Sequence, residues 1–151
     1  MLGALAVTLL AVVVVAQLSL RLVSVTSSSM APTVPDGSRA LVRTWQLPGA
    51  TPERGALVVA RVPGGAVVVK RLVARAGDTV ALRDGRLHVN DRPLEESSVD
   101  LDTVDGTWFG PVRVPAGRVF LLGDNRAESW DSREFGPVAL DDVVGEVVLW
   151  W

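Results

Sequence analysis

Residues 2–20 form the only long apolar run of the chain, with no charged residue and only three polar ones. As a helix at about 1.5 Å per residue, the run spans roughly 30 Å, the thickness of a bilayer core. A cleaved secretory signal normally has a shorter apolar segment and a positive start, and a buried helix normally has a polar face. Of these three alternatives, the sequence favours a retained transmembrane anchor over residues 1–22. Arg21 alone favours a cytoplasmic C-terminal side, but one arginine leaves the orientation open.

The rest of the chain is dominated by short, valine-rich segments that are separated by residues typical of turns. Seven segments have the composition of β-strands: residues 39–43, 56–62, 66–73, 80–83, 86–89, 119–122 and 143–150. Pro63–Gly65 and Asp84-Gly85 are typical hairpin connections. The polar, acidic stretch 90–117, punctuated by proline and glycine, predicts a small insertion lobe. The part of the chain after the anchor is therefore expected to be mainly β.

Composition excludes several classes of function. The formal charge of −2, from 15 basic and 17 acidic residues, provides no basic surface for nucleic acid. The absence of cysteine excludes disulfides, thiol catalysis and thiolate metal sites. His88 is the only histidine, so a multi-histidine metal site is impossible. We expect His88 to lie on an exposed strand without a catalytic role, and we expect no cofactor and no metal.

Lys70 is the only lysine of the chain. An arginine side chain does not lose its proton in a protein, whereas a buried lysine can. Strand alternation places Val68, Lys70 and Leu72 on one face and residues 69, 71 and 73 on the other, so either Lys70 or Arg71 could share an apolar face. If Lys70 is the buried residue, burial would lower the pKa of its amine. An amine whose pKa falls from about 10.4 to about 7–8 can act as a general base. A solvent-facing lysine on a strand is the alternative.

Ser29 follows the apolar run and precedes Met30, Ala31 and Pro32. Because proline biases the preceding residue towards an extended conformation, we expect Ser29 on an extended or turning segment near the bilayer surface. A solvated linker is the alternative for such a serine. If Lys70 reaches Ser29, the amine can take the hydroxyl proton and activate the serine without a histidine.

The segment 123–136 is dense in hydrogen-bonding side chains and lies between two predicted strands. Asp124, Glu128 and Asp131 offer carboxylate oxygens, so a calcium loop is one alternative. Their spacing does not match the EF-hand pattern, and two arginines of the segment would repel a cation. A structural loop, in which aspartate and arginine side chains pair, is the better interpretation.

Three motifs follow the apolar run: Ser29–Thr33, then Lys70-Arg71 leading to Gly77-Asp78, then Gly123–Arg126 with Ser129, Asp131–Arg133 and Gly136. Together they resemble the bacterial type I signal peptidases, serine proteases of the Ser-Lys dyad kind. The resemblance covers nearly the whole chain and is closest to the compact, single-anchor Gram-positive and actinobacterial form. It implies an antiparallel β catalytic core of residues 23–89 and 118–151, with a small β insertion over residues 90–117.

The resemblance also implies a role for each matching residue. Ser29 would be the nucleophile and Lys70 the general base. Ser27 would place its hydroxyl in an oxyanion hole together with the Ser29 backbone N–H. Ser129 would hydrogen-bond the lysine amine and hold it towards Ser29.

Two supporting features and two departures accompany these roles. An ion pair of Asp131 and Arg133 would support the loop, and Met30 would lie beside the substrate-binding pockets. Where the family has a Gly-Asp pair before its second core strand, this chain has Gly55-Ala56. The Asp-Asn that usually follows the Gly-Asp-Asn-Arg motif is replaced by Ala127-Glu128. These departures leave both members of the dyad intact.

The family's substrates are exported preproteins, which are cut after small residues in an Ala-x-Ala pattern. The resemblance implies a single-pass protein of the plasma membrane with its catalytic domain on the extracytoplasmic face, against the indication from Arg21. Expected partners are signal-peptide-bearing preproteins, the lipid bilayer and the Sec or Tat export machinery. Trp150 and Trp151 are expected in the core or at the membrane interface, and we favour the interface.

The leading functional hypothesis is a membrane-bound serine endopeptidase, a signal peptidase I, that removes signal peptides. A specialised maturation or conjugation peptidase with one dedicated precursor is the alternative within the same family. A non-catalytic, membrane-anchored β domain that binds exported proteins is the alternative from another class. The joint presence of Ser29, Lys70 and Ser129 argues against this last alternative.

Overall fold

A computed structural model describes residues 20–44, 52–99 and 106–151. Within these ranges, eleven strands form two antiparallel sheets, which confirms the prediction of a mainly β, antiparallel protein. The larger sheet contains, in spatial order, β1 (Leu20–Ser24), β2 (Arg39–Thr44), β11 (Val143–Trp150), β3 (Leu57–Arg61), β4 (Val67–Arg75), β9 (Arg118–Leu122) and β10 (Val138–Ala139). The smaller sheet contains, in spatial order, β7 (Arg92–Pro93), β6 (Arg86–Val89), β5 (Thr79–Arg83) and β8 (Phe109–Arg113).

Three short helical segments complete the described chain. They are the 3₁₀ turns Ser28–Met30 and Leu140–Asp142 and the single-turn helix α1, Ser132–Phe135. The first of these turns follows β1, and α1 lies in the connection between β9 and β10. The first turn lies against β4, and α1 lies against β9.

The central strand β3 is buried on both faces, which explains why its sequence is a continuous apolar run. Leu57 and Val59 pack into a cluster beneath the first 3₁₀ turn, whereas Val58 and Ala60 pack into a second cluster on the opposite face. Lys70 of β4 lies directly opposite Val58 in the antiparallel register. The lysine therefore projects from a strand whose neighbours on that face are apolar.

The smaller sheet packs on β4 and β9 through a third apolar cluster, which includes Leu82, Leu87 and Phe120. The predicted boundary at residue 90 does not coincide with the division between the sheets. Residues 79–89 were expected in the core, but β5 and β6 pair with β7 and β8. The reason is that Leu82 and Leu87 bury their side chains against β9 from this second layer. His88 of β6 is half-buried rather than exposed, with Nδ1 3.1 Å from the carbonyl oxygen of Arg86.

The predicted membrane anchor falls almost entirely on residues 1–19, which lie outside the described residues. Its last three predicted residues, 20–22, belong instead to β1, where Leu22 pairs with Leu41 of β2. Backbone pairing with β2, and not the continuation of a helix, therefore determines the conformation of these three residues. In the ranges that the structure describes, we find no helix with the length and apolar character needed to span a bilayer.

Candidate active site

Ser29 lies in a tight turn of residues 27–31, which we call the serine turn. Ser27 caps the 3₁₀ segment, and its Oγ accepts a 3.1 Å hydrogen bond from the Ser29 backbone N–H. Pro32 disfavours helical backbone at Ala31, which is extended and ends the turn, as the sequence predicts. Met30 is 1% exposed and anchors the turn in the apolar cluster beneath it.

Lys70 points from β4 towards the serine turn. Its Nζ donates a 2.5 Å hydrogen bond to Ser29 Oγ, although the two residues are 41 positions apart in the chain. Ser29 is 9% exposed and Lys70 is 3% exposed. The two residues singled out in the sequence are therefore in direct contact, and both are largely removed from water.

Burial changes the acid–base behaviour of Lys70. It lowers the pKa of the amine from 10.5 to about 8, because an ammonium ion loses its hydration in an apolar surrounding. The Asp131 carboxylate opposes this shift, and the Arg133 guanidinium offsets part of that opposition. With a pKa of about 8, an appreciable fraction of the amine is neutral at mildly alkaline pH.

The segment of residues 123–136, which we call loop 123–136, is hydrogen-bonded to the serine turn. Asn125 donates its backbone N–H to Ser29 O at 3.1 Å and its side-chain amide to Ser28 O at 3.3 Å. Glu128, which replaces the usual family residue, accepts a 3.2 Å hydrogen bond from Ser28 Oγ. Glu128 therefore contributes a contact between the loop and the turn.

Asp131 organises loop 123–136 from within. Its carboxylate accepts hydrogen bonds from Gly123 N at 3.0 Å and Arg133 Nε at 2.9 Å. Asp131 also caps α1 in a capping box with Glu134, which satisfies backbone N–H groups at the start of the helix. The Asp131 side chain is fully buried, so the ion pair with Arg133 is shielded from solvent.

Ser129 is placed differently from the expectation. Its Oγ is buried and has no hydrogen-bond partner within the described part of the chain, so the predicted bond to the Lys70 amine is absent. The Ser129 side chain instead lies against Gly123, in the space that a Cβ at that position would occupy. Lys70 Nζ is directed to Ser29 Oγ.

The region beside the dyad is a cavity of about 110 Å³. Its lining comes from residues 23–27, from Ser29 and Met30 of the serine turn, and from residues 67–70. Met30 therefore lines this cavity. The family resemblance implied a position for Met30 beside the substrate-binding pockets. Ser27 also lies at its wall, next to the Ser29 N–H.

Two buried ion pairs of the site could not be paired from the sequence. Arg71 donates two hydrogen bonds to the Asp124 carboxylate, at 2.8 and 2.6 Å, and Thr33 Oγ1 donates a third at 2.6 Å. Arg126 contacts Glu96, which comes from the loop after β7. The available signal was the density of aspartate and arginine in loop 123–136, but spacing alone does not identify distant partners.

The calcium alternative finds no support in this geometry. Asp124 and Asp131 are each engaged by an arginine, and Glu128 contacts Ser28. Within residues 20–44, 52–99 and 106–151, no three acidic or histidine side chains converge as a metal site would require.

A β-sheet protein in which a buried lysine amine touches a serine hydroxyl has the arrangement of a serine hydrolase with a Ser-Lys pair. All 151 residues match the sequence model of the family described as "Signal peptidase, peptidase S26". The chain therefore belongs to the signal peptidase family, peptidase S26.

Individual relatives agree with this assignment. Signal peptidase I of Bacillus caldolyticus is 34% identical over 152 residues, a match that covers 91% of this chain and 84% of the relative. Thylakoidal processing peptidase 1 of Arabidopsis thaliana is 36% identical over 138 residues, but this chain spans only 40% of its length. The crystal structure of a signal peptidase I from Enterococcus faecalis V583 matches with a TM-score of 0.58 and 32% identity, covering 66% of this chain and 98% of that one.

Proposed function

We propose that this chain is a signal peptidase I, a membrane-bound serine endopeptidase that removes N-terminal signal peptides from exported preproteins. The observation that carries the proposal is the 2.5 Å contact between Lys70 Nζ and Ser29 Oγ in a site from which water is largely excluded. A hydroxyl in water has no tendency to ionise near neutral pH, whereas a hydroxyl beside a neutral amine can pass its proton directly to nitrogen. Membership of the signal peptidase family supports the choice of substrate.

In the acylation step, neutral Lys70 accepts the proton of Ser29 while Oγ forms a bond to the scissile carbonyl carbon. The resulting ammonium then gives that proton to the nitrogen of the leaving chain, and the C–N bond breaks. The products are an ester between Ser29 Oγ and the signal peptide, and a mature chain with a free amino terminus. In deacylation, Lys70 takes a proton from the attacking water and returns it to Ser29 Oγ as the ester breaks.

The negative charge that develops on the carbonyl oxygen requires hydrogen-bond donors. We assign this role to the Ser27 hydroxyl and the Ser29 backbone N–H. In the free site, that N–H is donated to Ser27 Oγ at 3.1 Å, so the two groups are already adjacent. A substrate oxygen placed between them would receive the N–H and the Ser27 hydroxyl proton in place of this mutual bond.

The signal peptide is proposed to bind as an added strand beside β4. Residues 67–71 of β4 pair with β3, whereas β9 pairs with β4 only from Arg71 onward. Among the described residues, the first part of β4 therefore has a strand partner on one side, and an extended peptide can use the other side. The cavity there is only about 110 Å³, which favours small side chains at the cleavage site, as in Ala-x-Ala.

The location that we propose is the plasma membrane, with one anchor near the N-terminus and the catalytic domain on the extracytoplasmic face. The apolar run of residues 2–20 supports an anchor, although its last residue belongs to β1. Leu22 and Leu149 both lie beside Leu41 on the sheet and are more than half exposed, and Trp151 is 61% exposed. An exposed apolar face with tryptophan next to the end of an apolar run suits the membrane interface.

The proposed partners are preproteins delivered by the Sec or Tat export machinery, together with the lipid bilayer. We assign the catalytic β core to the larger sheet and the insertion to the smaller sheet, which includes β5 and β6. The alternatives, a peptidase dedicated to one precursor and a non-catalytic binding domain, have no specific observation in their favour. The apposed dyad favours catalysis over mere binding.

The test is a cleavage assay with detergent-solubilised full-length chain and a preprotein that bears an Ala-x-Ala site. We expect the mature fragment from wild type and none from Ser29→Ala or Lys70→Ala. Lys70→Arg is the informative variant, because it keeps a cation of similar length but cannot supply a neutral base. A preprotein with leucine in place of the last alanine controls for site selection. Cleavage by Lys70→Arg at the wild-type rate would refute the assigned base.

A further inference from the structure

Glu96 extends from the smaller sheet to loop 123–136. It lies in the connection that follows β7, and its Oε1 is 2.5 Å from Arg126 Nη2. The side chains of Glu96 and Arg126 are 7% and 1% exposed. Among the ion pairs of the described residues it is the least exposed, and it joins residues 30 positions apart.

Arg126 also hydrogen-bonds to other residues of loop 123–136. Its Nε donates a 2.9 Å hydrogen bond to Gly123 O, at the point where the chain leaves β9. Its own carbonyl oxygen accepts a 2.8 Å hydrogen bond from Arg133 Nη2, and Arg133 is paired with Asp131. Arg126 therefore connects Glu96 to both ends of the loop, through its guanidinium to Gly123 and through its backbone carbonyl to Arg133.

Gly123 packs directly against the serine turn. A Cβ built on Gly123 would lie 2.5 Å from the carbonyl oxygen of Ser29 and would overlap the side chain of Ser129. The backbone of Gly123 is thus in close contact with the serine turn. Because protein interiors transmit small displacements through packed atoms, a shift of Gly123 also shifts Ser29 relative to Lys70.

The ion pair has little redundancy. Glu96 Oε2 and Arg126 Nη1 are buried and have no hydrogen-bond partner among the described residues. If Glu96 loses its charge, the buried guanidinium retains only the bond to Gly123 O, and the arginine gains from moving towards solvent. Such a movement would release the Gly123 carbonyl.

We propose that Glu96 is a positioning residue for the Ser29–Lys70 pair, acting through Arg126 and Gly123. Through Glu96, the connection that follows the smaller sheet would then help to position the catalytic residues. This inference rests on the proposed function, since its readout is the rate of peptide-bond cleavage. A dyad held at hydrogen-bond distance loses rate steeply when its geometry relaxes by a fraction of an ångström.

The test compares Glu96→Gln with Glu95→Gln in the full-length chain, using the preprotein assay above. Glu95 is the exposed neighbour and provides a matched control for the loss of one negative charge. We expect Glu96→Gln to reduce kcat by about tenfold to a hundredfold with KM within about twofold of wild type. Glu95→Gln should leave both constants unchanged. Glu96→Asp, which keeps the charge, should recover part of the lost kcat.

A second variant separates positioning from folding. Glu96→Gln combined with Arg126→Met removes both buried charges and leaves no unpaired ion, so it should fold even if Glu96→Gln does not. It still lacks the bond to Gly123 O, and we expect kcat to stay low. Wild-type kcat in a folded Glu96→Gln or in the double variant overturns the inference, as does a loss that appears only in KM or in the melting temperature. If wild type itself fails to cleave the preprotein, the proposed function fails instead.

Discussion

Asp124 accepts hydrogen bonds of 2.8 and 2.6 Å from the guanidinium of Arg71. Asp124 is the second residue after β9, and Arg71 follows Lys70 in the chain. The Asp124 side chain is fully buried and that of Arg71 is 17% exposed. Hydrogen bonding to Asp124 raises the pKa of Arg71, against an opposing effect of burial, so the guanidinium is charged at every relevant pH. The pair ties loop 123–136 to β4 beside the dyad.

Removal of this carboxylate should be costly. Asp124→Ala leaves Arg71 mostly buried without its partner and removes the acceptor of Thr33 Oγ1. We expect a loss of about 3 kcal/mol in the free energy of unfolding, at the lower end for a broken buried pair because Arg71 retains some exposure. Urea titration followed by tryptophan fluorescence measures it. Arg54→Ala, which breaks the exposed pair with Asp78, is the control and should cost less than about 1 kcal/mol.

The pH dependence of cleavage should report Lys70. The base works only when neutral, and burial lowers its pKa to about 8. The value of kcat/KM should therefore rise roughly tenfold per pH unit below about pH 8 and level off above it. Initial rates across a series of buffers at constant ionic strength provide the measurement. A profile that is flat between about pH 6 and 9 would exclude a lysine base with this pKa.

Gly123→Ala should disable the site while leaving most of the fold in place. The added methyl group meets the Ser29 carbonyl oxygen and the Ser129 side chain, so the serine turn and the loop must separate. We expect at least about a hundredfold lower kcat and a loss of about 1–3 kcal/mol of stability. Gly64→Ala is the control, because it adds the same methyl group where nothing lies within 4 Å of a Cβ; its φ of 89° strains alanine, so this variant should cost stability but leave kcat unchanged. Equal activity of the two variants would contradict the proposed packing.

Met30→Ala should affect both stability and substrate choice. Met30 is 1% exposed in the cluster beneath the serine turn and also lines the cavity beside the dyad. Truncation should cost about 2–5 kcal/mol through the lost burial and the cavity left behind. It should also enlarge the space for the residue before the cleavage site. Competition between preproteins with alanine and valine at that position tests this, and an unchanged ratio would count against a role of Met30 in the pocket.

Much of the fold is encoded in local patterns. Both predicted hairpins are present, as β3–β4 and β5–β6. Their connections, Pro63–Gly65 and Asp84-Gly85, could be recognised because they supply turn backbone that few other residues adopt easily. The sequence placed residues 79–89 with the core, whereas β5 and β6 pair with β7 and β8, since alternation specifies which side chains are buried but not against which layer. Leu82 could be buried as a strand residue of either sheet. Its cluster with Phe120 shows that it is buried between the smaller sheet and β9.

The candidate site, like the fold, was only partly predictable from the sequence. Ser29 and Lys70 were identified from residue chemistry and motif, and their proximity was a hypothesis until the register of β4 against β3 placed the amine at the serine turn. The partner of Arg126 could not have been predicted, because Glu96 lies 30 positions away in the connection that follows β7. The expected contact from Ser129 to Lys70 is also absent, and Ser129 packs on Gly123 instead.

By itself, the sequence determined that the protein is mainly β and that its one lysine differs from its fourteen arginines in its capacity to lose a proton, while its motifs supplied the resemblance to serine peptidases. These are properties of residue type and short-range order, which do not depend on distant partners. Only the tertiary structure decided that Lys70 is buried, that its pKa lies near 8, and that its amine touches Ser29. Desolvation and contact between residues 41 positions apart arise from the packing of whole strands, and no local pattern contains that information.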